Sequence, residues 1–317
     1  MTQMKERISS AFTDGIAVWI IVGVLAMLAT VYSDSFLTVK NVPNVLGQAV
    51  PLIIITVGMF VAIIAGQIDL SVAAVVKLTA VLVSGIADGD GAKFVGAVAL
   101  AFAIGMCVGL FNSLLVVRLK IPAFIATLGT FSILEGLVLA YTIKGVGSIP
   151  TPVVTTLYGN FGPIPYSMLV LLLLLAAVGL WLRRSRMGLH LYAVGGDTEV
   201  ARRSGVRSGP VITTSLVTCS LFAVLAGLVQ VSRAGVGAPT TGDGMELLAI
   251  TAVVIGGASL MGGRGRLLGA VGGAVLLALI DNALNMVGIS QYTQGLFRGA
   301  IIVAAITVFV SKKGAKT

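Results

Sequence analysis

Hydrophobic residues in this chain fall into long runs separated by short polar breaks, and the runs predict its elements. Apolar stretches occupy roughly 16 to 32, 46 to 66, 70 to 86, 94 to 117, 122 to 142, 165 to 182, 210 to 232, 246 to 261, 267 to 286 and 294 to 311. Most approach the ~20 residues that cross a hydrocarbon core at about 1.5 Å per residue. The period-two alternation of an outer-membrane barrel is absent, so the runs predict helices. The expected fold class is an all-α membrane protein, a polytopic bundle of about ten transmembrane helices. The first run follows MTQMKERISSAFTDG, but no small-residue cleavage site closes it before the chain turns polar at 32 to 34, and it reads as a retained span.

Composition agrees. A mean hydropathy of +1.06, with 57% hydrophobic and 10% charged residues, excludes a soluble domain with a polar surface. The net charge of +9 points to no nucleic acid, because in a membrane protein a basic excess first marks the cytoplasmic loops. With the N-terminus inside, the inner segments hold most of the basic residues, among them Arg118, Lys120, Arg183, Arg184, Arg186, Arg202, Arg203 and Arg207. The outer loops hold Lys40, Lys93, Lys144 and Arg233. Both termini are therefore expected in the cytoplasm. No linker divides the chain, so residues 1–317 read as a single domain, with 1–15 and 312–317 as cytoplasmic ends and 183–209 as a cytoplasmic loop. Glycines at four-residue spacing, as in Gly105/Gly109 and Gly265/Gly269/Gly273, let helix backbones approach closely, for static packing or for a moving interface.

Residues 195 to 206, GGDTEVARRSGV, form a dense polar island. Asp197 is placed to cap amide donors, Glu199 lies in a first turn, Arg202 and Arg203 in a last turn, and Gly205 at a left-handed stop. Two turns are too short to stand alone in water, so such a helix needs its own spans or a partner to lean on. An ordinary basic loop would explain the arginines but not this order. Three other stretches mix polar residues into spans. GMFVAIIAGQIDLSV (58 to 72) holds Asp69 and Ser71, and the stretch from 242 to 265 opens on Asp243 and Glu246 and closes in glycines. DNALNMVG (281 to 288) holds Asp281, Asn282 and Asn285.

Together with PAFIATLGTFSILEG (122 to 136) and GMELLAITAVVIGGASLMGGRGRLLGAVGGAVLLALIDNALNMVGIS, these motifs resemble the permease subunit of bacterial sugar ABC importers, the ribose-permease type, over about residues 36 to 310. The resemblance implies a ten-helix subunit in the bacterial inner membrane, paired with a second permease chain, identical or paralogous. Two cytoplasmic ATPase domains and a periplasmic sugar-binding protein complete the importer. It further implies that the helix at 196 to 206 seats on the ATPase, involving Gly196, Asp197, Glu199, Ala201, Arg202, Arg203 and Gly205. Three residues depart from the family pattern: Glu135 stands where an arginine is usual, Asp281 where an asparagine is usual, and Lys77 where relatives carry apolar or small residues. An ionisable group at membrane depth costs ~2.5–3.5 kcal/mol on insertion scales, so each is expected to find a partner or a watery path. Lys77 is expected to pair with Glu135 or Asp281, either as a structural ion pair or within a translocation path formed by Asp69, Lys77, Glu135, Asp281, Asn282 and Asn285.

No G-x-x-x-x-G-K-[ST] occurs, so the chain is expected to hold no ATP or other cofactor and to hydrolyse nothing itself; ATP and Mg belong to the partner. His190 is the only histidine, and Cys107 and Cys219 lie in apolar runs, so neither a metal site nor a catalytic triad is expected. Import of a monosaccharide or related polyol is the leading reading. The alternatives are a permease for branched-chain amino acids or nucleosides, and an ion-coupled secondary transporter whose relay would be Lys77, Glu135, Asp69 and Asp281.

Overall fold

A computed structural model describes residues 15–32, 36, 38, 41–161, 164–289, 293–297, 299, 300 and 303. The expected cytoplasmic tail at 312–317, nearly all of the N-terminal segment 1–15 and most of the run 294 to 311 lie outside them. The remaining nine runs are helical, in whole or in part: α1 (Ile16–Tyr32), α2 (Asn41–Ile64), α3 (Val72–Ala87), α4 (Gly91–Ser113, prolonged by a π-turn over Leu114–Arg118), α5 (Ala123–Tyr141), α7 (Tyr166–Arg184), α10 (Ser208–Ala234), α11 (Met245–Ile255) and α12 (Leu267–Met286). Between them lie α6 (Thr151–Tyr158), a two-residue hairpin of β1 (Asn160–Phe161) and β2 (Ile164–Pro165), and the short α8 (Arg186–Gly196) and α9 (Thr198–Arg203).

Among the described residues, six helices, α2, α4 with its π-turn, α5, α7, α10 and α12, are long and apolar enough to cross a membrane. One run behaves differently from its prediction: 246 to 261 is helical only over Met245–Ile255. Eleven residues rise roughly 16 Å, about half a hydrocarbon core. The second half of that run is irregular because the chain enters the left-handed region at Gly257 (φ +88°) and Gly262 (φ +87°), where an α-helix cannot continue.

α2 is the centre of the bundle. It is apolar on every side, and 94% of its most apolar window is buried, as expected of a helix enclosed by others. α10, α12, α11 and α7 pack around it, and α10 also covers α3 and α4. The outer helices present Ile20, Leu28, Ile133 and Leu173 as exposed apolar residues, which suits lipid and not water. The glycine spacings act as close contacts. A Cβ at Gly109 would lie 2.6 Å from Val217 Cα on α10, and one at Gly273 would overlap the Ala252 carbonyl of α11. A Gly109→Leu variant should therefore lose about 1–3 kcal/mol of stability. Gly96→Leu on the same helix, where an added Cβ meets nothing within 4 Å, should lose little. Equal thermal unfolding of the two in detergent would contradict this packing.

The segment 235–244 matters most for function. From the end of α10 it runs without helix along α3: Gly237 sits against Ala80 and Ser84, and Gly242 against Ala73 and Val76. That path covers about 10–12 Å along the α3 axis. It is pinned by an isolated bridge, in which Val146 N–H donates to Gly237 O at 2.8 Å. Non-helical backbone at membrane depth persists only when buried in protein or lining a water-filled cavity.

Candidate functional site

The polar island folds as a six-residue helix in the predicted order. Asp197 Oδ1 accepts from the amides of Glu199 and Val200, both at 2.9 Å. Arg202 forms a two-pronged pair with Glu199, Nε to Oε2 at 2.9 Å and Nη2 to Oε1 at 2.8 Å, and Arg203 Nε reaches the same Oε1 at 3.1 Å. Bonds from Arg202, then Arg203, hold the Glu199 carboxyl below its ordinary range, so it stays ionised at neutral pH. Gly205 takes φ +85°. Val206 N–H closes the helix end by donating to Ala201 O at 3.0 Å, and Ala201 is buried in the hydrophobic core, so the helix leans on its own bundle. Its outer face carries Val200, Arg202 and Arg203; the two arginine side chains are 69% and 77% exposed. Gly196 is the last residue of α8.

Lys77 lies in the second turn of α3 with its side chain only 4% exposed, and it bridges two carboxylates. Nζ is 2.6 Å from Glu135 Oε1 on α5 and 2.7 Å from Asp243 Oδ1 at the end of the descending segment. Of the two partners foreseen, Glu135 is realised. Asp281 is not an ion-pair partner of Lys77; it lies on α12, partly buried, with interactions of its own. The sequence reading left Asp243 out of the site, because nothing local shows that residues 235–244 dip to the level of Lys77. Glu246, in the first turn of α11, has a buried Oε2 without a hydrogen-bond partner and adds a third carboxylate nearby. The side chains of Glu135 and Asp243 are 33% and 56% exposed, so the cluster opens onto the surface of the chain.

Asp69 belongs to a second, fully enclosed group. Its Oδ1 accepts from the Ser71 amide and hydroxyl. Asn112 Nδ2 on α4 donates to Ser71 Oγ at 2.9 Å, and Thr130 on α5 donates to Asn112 Oδ1 at 2.6 Å. Leu70 N–H donates to Thr127 Oγ1 at 3.0 Å. The break between α2 and α3 is thus stitched to α4 and α5. Removing Asn112 by Asn112→Ala should cost about 1–3 kcal/mol, the penalty of stranding buried polar groups. The exposed Ser132→Ala should change thermal unfolding little.

Asn282 and Asn285 form a third group near the end of α12. Asn41 Nδ2 donates to Asn282 Oδ1 at 3.4 Å, and Gln294 Nε2 donates to Asn285 Oδ1 at 2.8 Å. The six candidate path residues therefore fall into three places, and in the Lys77 cluster the charged side chains of Glu135 and Asp243 reach the surface. No group of three or more His, Cys, Asp and Glu suited to a metal ion occurs among the described residues.

Residues 41–306 match the family model described as the permease component of the branched-chain amino acid transport system. The chain is 34% identical over 290 residues to the ribose import permease protein RbsC of Escherichia coli (strain K12), covering 90% of each chain. It is 35% identical over 289 residues to RbsC of Bacillus subtilis (strain 168), covering 89% of this chain and 88% of the relative. It is also 33% identical over 301 residues to the autoinducer 2 import system permease protein LsrC of Yersinia pseudotuberculosis serotype O:3 (strain YPIII), covering 92% and 83%. No solved structure matches it. A match across most of the chain, with motifs in the order that its resemblance to ribose-type permeases required, shows that the protein belongs to this family of import permeases.

Proposed function

We propose that this chain is the membrane-spanning subunit of an ABC importer that carries a monosaccharide or related polyol across the bacterial inner membrane, driven by ATPase domains on separate chains. Ten spans with both termini in the cytoplasm, a second permease chain, two ATPase domains holding ATP and Mg, and a periplasmic binding protein make up the importer. The observation that carries this reading is α9: a capped helix, seated on the bundle by Ala201 and turning Val200, Arg202 and Arg203 outward. Relatives named for ribose and for autoinducer 2 favour a polyhydroxylated solute over a branched-chain amino acid. The Lys77 cluster supports a path that it lines, since carboxylates at membrane depth that reach the surface need water or a second protein chain to solvate them.

The test is uptake into liposomes holding the permease and its ATPase, with the binding protein outside and labelled ribose as the first solute. ATP-dependent uptake that competing polyols suppress is expected. Suppression by leucine and not by sugars would move the substrate to the amino-acid class. Uptake without ATPase that follows an ion gradient would overturn the reading and make the buried charges the transport relay.

A further inference from the structure

α8 ends in Gly195 and Gly196, immediately before the Asp197 cap of α9. There three chain segments meet through backbone alone. Gly263 N–H, in the loop after α11, donates to Ile64 O, the last carbonyl of α2, at 2.9 Å. A Cβ at Gly195 would overlap that same Ile64 oxygen and lie 2.8 Å from Gly263 N. A Cβ at Gly262 would stand 2.6 Å from Gly195 O and 2.8 Å from Gly66 N. Tyr192 on α8 adds a side-chain tie, its hydroxyl donating to Gly265 O at 3.2 Å.

Two short rods leave this seam. α3 follows the break after α2, and α11 runs into the loop that holds Gly262 and Gly263. Away from the seam the rods are linked again by the Lys77–Asp243 pair at 2.7 Å. Otherwise each packs mainly elsewhere, α3 on α10, α4 and α5, and α11 on α12 and α2. The rods thus share a pivot at the seam and, beyond it, a separable ionic contact between the second turn of α3 and Asp243, just before α11. Backbone packed against backbone has no side-chain rotamers to absorb a displacement, so it passes movement on.

We propose that the glycine seam of Gly195, Gly262 and Gly263 positions α3 and α11 on the docking helix, so that displacement of α9 by the ATPase opens and closes the Lys77–Asp243 contact. The proposal rests on the reading that α9 is the ATPase-docking helix. It makes these glycines positioning residues for transport, although none touches solute.

Two glycines provide the test. A Cβ at Gly179 on α7 comes no closer than 3.8 Å to Leu267 Cδ2, an ordinary contact, whereas one at Gly195 wedges the seam apart. In the full importer reconstituted in liposomes, Gly195→Ala should retain ATPase binding and basal ATP hydrolysis, while import per ATP falls at least tenfold. Gly179→Ala should behave as wild type. Import per ATP by Gly195→Ala equal to wild type overturns the proposal. Loss of ATPase binding by the wild-type chain itself would instead overturn the docking reading, and the seam with it. A second measurement leaves the seam glycines intact: spin labels in a chain with Cys107→Ser and Cys219→Ala. Labels at the exposed Leu189 and Met261 should keep one separation with and without ATP. Labels at Thr240, beside Asp243, and at the exposed Ile133 of α5 should change theirs. A nucleotide-dependent change in the first distance, or none in the second, overturns the proposal.

Discussion

A chain carrying Arg202→Glu and Arg203→Glu will insert and fold but will neither bind its ATPase nor import. Both guanidiniums stand in solvent and share one internal partner, Glu199, and exposed pairs of that kind contribute little to a fold. The substitution leaves acids at 197, 199, 202 and 203, two of them at the end of a helix where the dipole favours cations. A surface that offered two cations and the apolar Val200 to a partner becomes uniformly acidic. Ala201, which seats the helix, is untouched. Co-purification with the ATPase, then solute-stimulated ATP hydrolysis with the binding protein present, reads the effect: both should fall to background while the chain elutes from detergent as wild type does. A double variant that still binds the ATPase would remove α9 from the interface.

Lys77→Met should have the second-largest effect. It removes the cation that bridges Glu135 and Asp243, with Glu246 close by. Stranding a partner of a buried pair costs about 3–5 kcal/mol, and the partial exposure of Asp243 moves the expectation to the lower end. Thermal unfolding in detergent should show the loss, and uptake should fall at least tenfold. A triple variant, Lys77→Met with Glu135→Gln and Asp243→Asn, separates fold from path. Without uncompensated charge it should recover most of the stability but not the uptake. Wild-type uptake by the triple variant would make the cluster purely structural.

The sequence made the bundle legible where one segment decides its own state. Runs of apolar residues locate α2, α10 and α12 within a few residues, because in lipid a helix satisfies its own backbone. The order from Asp197 to Gly205 likewise predicts α9, since capping is local chemistry. Contacts between distant segments left fainter traces. Asp243 stayed out of the predicted site because its partnership with Lys77 depends on the descent of 235–244 along α3, which no periodicity encodes. The shortness of α11 was misjudged because the run 246 to 261 stays largely apolar past Ile255, while the left-handed turn at Gly257 ends the helix. Asn112 and Thr130 lie inside apolar runs and gained meaning only once Ser71 was placed between Asp69 and Asn112.

That chain from Asp69 through Ser71 and Asn112 to Thr130 also bears on how the protein is made. Translation proceeds from the N-terminus, so Asp69 and Ser71 reach the bilayer before Asn112 and Thr130 are synthesised, and Lys77 arrives long before Asp243. The break after α2 and the start of α3 thus enter lipid while Asn112, Glu135 and Asp243, which bond Ser71 and Lys77 in the finished bundle, do not yet exist. Until those later segments arrive, the half-built chain bears an insertion cost that the complete bundle removes.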